Sequence, residues 1–101
     1  MPVVKVTKKQ VSIVLSAEAT IGNVEADTLL FRQALEDHAD RGRIVIDAGA
    51  LEEMDTAYLQ LVRCFVKSAR AAGVGITFCN TPEPMRRLAK LYGVDWCDSP
   101  N

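Results

Sequence analysis

A chain of 101 residues, 49% hydrophobic and 25% charged, is long enough for one globular domain spanning residues 1–101 and has neither a disordered nor a fibrous composition. Twelve Lys and Arg against thirteen Asp and Glu leave a net charge of −1, which offers no cationic surplus for displacing phosphate counterions and argues against nucleic-acid binding. The apolar runs are too short to span a membrane and the opening MPVVKVTKK lacks a signal-peptide core, so a cytoplasmic location is expected.

In chain order, Val3–Val6 and Val11–Leu15 are β-branched runs around a polar Lys8-Lys9-Gln10 turn, the pattern of a hairpin. The segment AEATIGN reads as a loop. Leu30, Phe31, Ala34, Leu35 and His38 then recur at helical spacing, which predicts a helix over Val24–His38 with Asn23 as N-cap and Gly42 as the stop. Arg43–Asp47 has polar ends and an apolar centre, as expected of an interior strand buried on both faces. A second helix, Ala57–Ala72, carries Leu59, Val62, Phe65, Val66 and Ala69 on one side and Gln60, Arg63, Lys67 and Arg70 on the other, and Gly73 ends it. Val74–Phe78 reads as a second interior strand, and the prolines of NTPEPMRRLAKLYG open a third helix with Met85, Leu88, Ala89 and Tyr92 as its apolar stripe.

Two successive strand-helix-strand units imply parallel neighbours with right-handed crossovers. The expected architecture is α/β: a mixed four-stranded sheet with an N-terminal hairpin and helices packed on it, the two interior strands parallel and central. Function in open sheets of this kind sits beyond the carboxyl ends of the strands, where Asp47 to Thr56 lies.

The thiols carry no site. Cys64, Cys79 and Cys97 are widely spaced and His38 is the sole histidine, so neither a metal nor a cofactor is expected. Cys64 and Cys79 read as small core hydrophobes, and Cys97 lies in a polar tail. His38 reads as a structural or surface residue.

The stretch DAGALEEMDTAYLQL, Asp47 to Leu61, places a hydroxyl at the start of the second helix. No base flanks it beyond Glu52, Glu53 and Asp55, and no glycine-rich phosphate loop is present, so an enzyme is not expected. Asp55 or Thr56 caps the helix; if Asp55 does, the Thr56 hydroxyl is left free for modification. A phosphate there adds about −1.5 to −2 charges. The helix N-terminus favours it by about 0.3 to 1 kcal/mol, and Asp55 and Glu53 oppose it. Tyr58 either reaches outward with Gln60 and Arg63 as an interface anchor or folds against the first turn.

These residues resemble the STAS domain of sulphate transporters and anti-sigma factor antagonists. The resemblance rests on Ile44-Val45-Ile46-Asp47, the loop to Met54, DTAYLQL, AAGVGITFCNTPEPMRRLAKLYGV and the strand order. Asp55, Thr56 and Leu59 match the family pattern; Tyr58 stands where glycine is usual, and AEATIGN keeps only Glu18 of the usual loop. The resemblance implies that Thr56 is a phosphoacceptor, and the expected partner face around it comprises Glu53, Asp55, Thr56, Ala57, Tyr58, Gln60 and Arg63. The implied partner is an anti-sigma factor or serine/threonine kinase, bound when Thr56 is unmodified. The alternative it implies is a constitutive adaptor subunit of a transport ATPase or of a chemosensory or two-component complex.

Overall fold

The computed structural model describes residues 2–7 and 10–93; the Lys8-Lys9 part of the expected turn and Cys97 lie outside these residues. Strands β1 (Val3–Val6) and β2 (Val11–Val14) pair antiparallel, Val3 opposite Val14 and Val6 opposite Val11. The hairpin closes where the Thr7 amide donates to the Gln10 carbonyl at 2.9 Å. After a two-residue strand β3 (Glu18–Ala19), helix α1 (Ile21–His38) and a short 3-10 turn lead to β4 (Arg43–Asp47), which runs parallel to β2. A second two-residue strand, β5 (Glu53–Met54), precedes α2 (Thr56–Ala71); β6 (Gly75–Cys79) then runs parallel to β4, and α3 (Glu83–Leu91) follows.

The four-stranded mixed sheet has the order β1-β2-β4-β6, which is the expected architecture. Two details differ from the sequence expectation. Of the two strands expected to be central, only β4 is: β6 pairs with β4 alone among the described residues, because both strand-helix-strand units extend the sheet in the same direction. Nor is β4 buried on both faces. Ile13, Ile46 and Phe78 form a fully buried row across the sheet, while the adjacent row of Ser12, Val45 and Thr77 is half-buried. The strands thus follow a period of two, with one face packed under the helices.

The helices bury what their spacing dictates, with wider arcs than expected. Leu59, Val62, Phe65, Val66 and Ala69 are buried as predicted, and Tyr58 and Leu61 join them. Phe31 is the centre of the α1–α2 contact, its ring 5.0 Å from that of Phe65 and 6.4 Å, edge-on, from that of Tyr58. Such aromatic pairs add about 0.5–1.5 kcal/mol beyond area burial. Cys64 faces solvent rather than the core, and Cys79 is half-buried.

Helix α1 begins three residues before the predicted start. Asn23, expected to cap it, lies inside its first turn, where its side-chain amide donates to the Glu18 carbonyl at 2.9 Å. Thr20 occupies the N-cap position without a side-chain cap bond. The cap comes instead from a distant carboxylate: Asp55 Oδ2 accepts the Ile21 N–H at 2.7 Å. At the other end, Gly42 stops the turn as expected, with φ of 79° in the left-handed region.

Candidate functional site

The AEATIGN segment and the loop from Asp47 to Met54, both expected to be irregular, meet in the small β3–β5 ladder, which pairs Glu18 with Glu53 and Ala19 with Met54. Further backbone bonds fix it: the amides of Glu52 and Glu53 donate to the Ala17 carbonyl, and that of Asp55 to the Ala19 carbonyl. The ladder carries Asp55 to a point between two helix starts. Asp55 has extended backbone, φ −104° and ψ 175°, as an N-cap requires. Its Oδ1 accepts the Tyr58 N–H of α2 at 2.9 Å, while Oδ2 accepts the Ile21 N–H of α1. One carboxylate therefore serves two helices, and its negative charge lies at the positive end of both dipoles.

With Asp55 as cap, Thr56 is the first residue of α2. It is half-buried, and its Oγ1 lies 3.3 Å from the Tyr92 hydroxyl at the C-terminal end of α3. Ala57 and Arg63 are half-buried and Gln60 is exposed. Glu52 and Glu53 are exposed beside the helix start, with Glu18 opposite Glu53 across the ladder. Six of the seven sequence-predicted residues, Glu53, Asp55, Thr56, Ala57, Gln60 and Arg63, thus keep at least partial access to solvent.

Tyr58 does not. It is 0% exposed, and its hydroxyl donates to Asp27 Oδ2 of α1 at 2.7 Å. The outward-reaching interface anchor is thereby excluded: Tyr58 is a core residue. Burial first, and then the hydrogen bond and charge of Asp27, push the phenol's pKa well above its ordinary value. Asp27 itself is 2% exposed. The sequence carried a signal for this pair, since Asp27, Phe31 and Ala34 fall on one helical stripe, and a carboxylate on a buried stripe needs a buried donor.

The loop after β4 is also tightly built. Asp47 Oδ1 accepts from the Gly49 amide at 2.9 Å and from Asn80 Nδ2 at 3.2 Å. A Cβ on Gly49 would lie 3.1 Å from that same oxygen. Burial and then the Asp47 charge raise the pKa of the neighbouring Cys79 thiol, disfavouring its reactive thiolate. Two clefts lie elsewhere, one of about 140 Å³ between α1 and α2 around Phe31 and Phe65, the other between β1 and α1; Thr56 lines neither. Among the described residues no cluster of His, Cys, Asp and Glu is arranged to hold a metal ion, and no helix is long and apolar enough to cross a membrane.

The family model STAS_2, described as "Mlab, STAS domain", matches residues 4–96. No curated protein matches the sequence. Among solved structures, the chain is similar to the phosphorylated form of the Bacillus cell fate determinant SpoIIAA, with 22% identity and a TM-score of 0.73 over 95% of this chain and 87% of that one. The unphosphorylated form of the anti-sigma factor antagonist SpoIIAA gives 19% identity and a TM-score of 0.79 over 95% and 84%. An anti-sigma-factor antagonist (STAS) domain protein from Planctomyces limnophilus gives 16% and 0.79 over 93% and 83%. At these identities the structures show a shared fold, and the family model supplies the membership: the chain belongs to the STAS domain family.

Proposed function

We propose that this protein is a non-catalytic, cytoplasmic regulatory module of the anti-sigma factor antagonist type, working through protein-protein contact and switched by phosphorylation of Thr56. The observation that carries this reading is the division of labour at the start of α2. Both Asp55 oxygens are engaged by helix N–H groups, so the helix does not need the Thr56 hydroxyl. For the same reason Asp55 is placed as a cap and not as a base that would activate Thr56 as a nucleophile. The partner is a protein, an anti-sigma factor or serine/threonine kinase. The contact face comprises Thr56, Ala57, Gln60 and Arg63 with Glu53 at its edge and Asp55 beneath; Tyr58 supports it from inside. A phosphate on Thr56 would raise the negative charge of a surface already bearing Glu52 and Glu53 and so dismiss a partner that binds the unmodified form.

The test joins mass spectrometry of Thr56 in protein isolated from its own cells with calorimetry against the co-purified partner. Thr56→Ala, which adds no charge, should fold normally and retain binding to within a few-fold, and Thr56→Glu should lose at least tenfold in affinity. Unmodified Thr56 under every growth condition, together with equal affinity for both variants, would overturn the switch.

A second reading has its own support. The matching family model carries the description "Mlab, STAS domain", and the Thr56 hydroxyl is half-buried against Tyr92. These favour a constitutive adaptor in a transport ATPase or signalling complex that uses the same helix face without modification. Retained binding by Thr56→Glu is the outcome that selects it.

A further inference from the structure

Helix α3 is only nine residues long, below the length at which a helix holds itself in water, so its order depends on what ties it down. Met85 and Ala89 are its buried residues. Beyond Ala89 the chain emerges: Leu91 is 75% and Tyr92 44% exposed. The last turn is closed by long backbone bonds, Tyr92 N–H to the Leu88 carbonyl at 3.3 Å and Gly93 N–H to the Lys90 carbonyl at 3.2 Å. The side-chain bonds of Arg86 to Thr81 and of Arg87 to Glu83 lie at the opposite end of the helix. Among the described residues, a side-chain hydrogen bond that joins the end of α3 to α2 is the pair of hydroxyls, Tyr92 and Thr56, 36 residues apart in the chain.

Resting on the reading of Thr56 as phosphoacceptor, we propose that Tyr92 relays the state of Thr56 to α3: the free hydroxyl holds the last turn of α3 against the start of α2, and phosphorylation releases it. In the transfer, the bond from the γ-phosphorus of a kinase-bound nucleoside triphosphate to its bridging oxygen breaks and a bond to Thr56 Oγ1 forms. The nucleoside diphosphate leaves, and the hydroxyl proton passes to solvent. Oγ1 then carries a phosphorus with three further oxygens in the space where the phenol oxygen lies at 3.3 Å, so the direct contact between the two hydroxyls is lost and the phenol is displaced from its present position. Gly93, with φ of 71° just beyond the helix, ends it in the left-handed region. The partner then meets two changes at once: a new charge on α2 and the loss of an ordered Tyr92 and Leu91 edge beside it.

The relay is testable on the full chain without its partner. Amide hydrogen exchange at Tyr92 and Gly93 should quicken about three- to tenfold in Thr56→Val and in Tyr92→Phe, the scale of one lost hydrogen bond. The double variant should go no further, and Thr56→Ser, which keeps a hydroxyl, should match the wild type. A chain made by semisynthesis with phosphothreonine at position 56 should exchange at least as fast as Thr56→Val. Tetranitromethane should nitrate Tyr92 faster in that chain, with buried Tyr58 as an internal control. Equal exchange in wild type, Thr56→Val and Tyr92→Phe overturns the relay, as does slower exchange in the phosphothreonine chain. Phosphate found on Thr56 in cells with α3 exchange unaltered overturns the relay alone and leaves the phosphoacceptor reading standing.

Discussion

Two tyrosines lie close to Thr56, and the hydroxyl of each meets a partner far away in the chain. Tyr58 donates to Asp27 at 2.7 Å inside the core, and Tyr92 meets Thr56 at 3.3 Å on the surface. The first pair locks α1 to α2 beneath the helix start; the second ties down one exposed turn above it. Burial decides the difference. A charge-assisted bond in a dry interior is strong, and removing one partner strands the other. A bond between two neutral hydroxyls at the surface competes with water and can be exchanged at small cost. A regulated hydroxyl belongs at the second kind of junction, supported by the first.

The largest effect expected from breaking this contrast is Tyr58→Ala, which should destabilise by about 3–5 kcal/mol as other large-to-small aromatic core changes do. Tyr58→Phe keeps the ring and strands the Asp27 carboxylate, for a loss of about 1.5–3 kcal/mol. Urea denaturation measures both. The combined Asp27→Leu and Tyr58→Phe variant should recover part of that loss, since an apolar pair leaves no unsatisfied charge. No recovery would mean that shape, and not the stranded carboxylate, governs the site. Linkage gives an independent reading. Because the folded phenol's pKa is raised, its contribution is fully present below the unfolded value of about 10 and is lost as pH climbs above it. Tyr58→Phe should remove that part of the alkaline decline in stability.

The same contrast marks what the sequence made legible. Periodicity alone located the strands β1, β2 and β4 and the buried stripe from Leu59 to Ala69, because local spacing and long-range burial agree there. It failed where a distant residue intervenes. The start of α1 is set by Asp55, 34 residues away, and no local pattern announces a cap supplied from another loop. The β3–β5 ladder is two residues long on each side, too short for alternation to show. Tyr58 follows the cap closely and looks peripheral when the arc of α2 is drawn through Leu59 and Val62. Asp27 on the facing stripe is what draws it inward. Thr56 was readable as a helix start, but its partner Tyr92 was assigned to an apolar stripe and lies half-exposed beyond it.

Asp55→Ala comes next in size. It uncaps α1 and α2 together, so the expected loss is roughly twice the 0.5–2 kcal/mol of a single cap. Hydrogen exchange should rise at both Ile21 and Tyr58. A rise at Tyr58 alone would show that α1 finds another cap in solution and that the two helix starts are not joined through this carboxylate. Gly49→Ala should have a smaller effect, about 1 kcal/mol in the denaturation midpoint. The new Cβ meets Asp47 Oδ1 at 3.1 Å and the Asn80 Cβ at 3.4 Å, and the loop can yield only by disturbing the hydrogen bonds that Asp47 accepts.

Tyr92→Phe should have the smallest effect of all on global stability, within about 0.5 kcal/mol, as exposed substitutions generally do. The ring stays, the lost oxygen is solvent-facing, and Thr56 can turn its hydroxyl to water. This small global change is to be set beside the local one at the end of α3, where the same substitution frees the Tyr92 and Gly93 amides. Local opening without global loss is the signature of a segment fastened by few contacts. If urea denaturation instead finds Tyr92→Phe as damaging as Tyr58→Phe, the surface pair belongs to the same cooperative unit as the core pair. Thr56 could then not be modified without unfolding the domain beneath it, and α3 would be no separate responsive element.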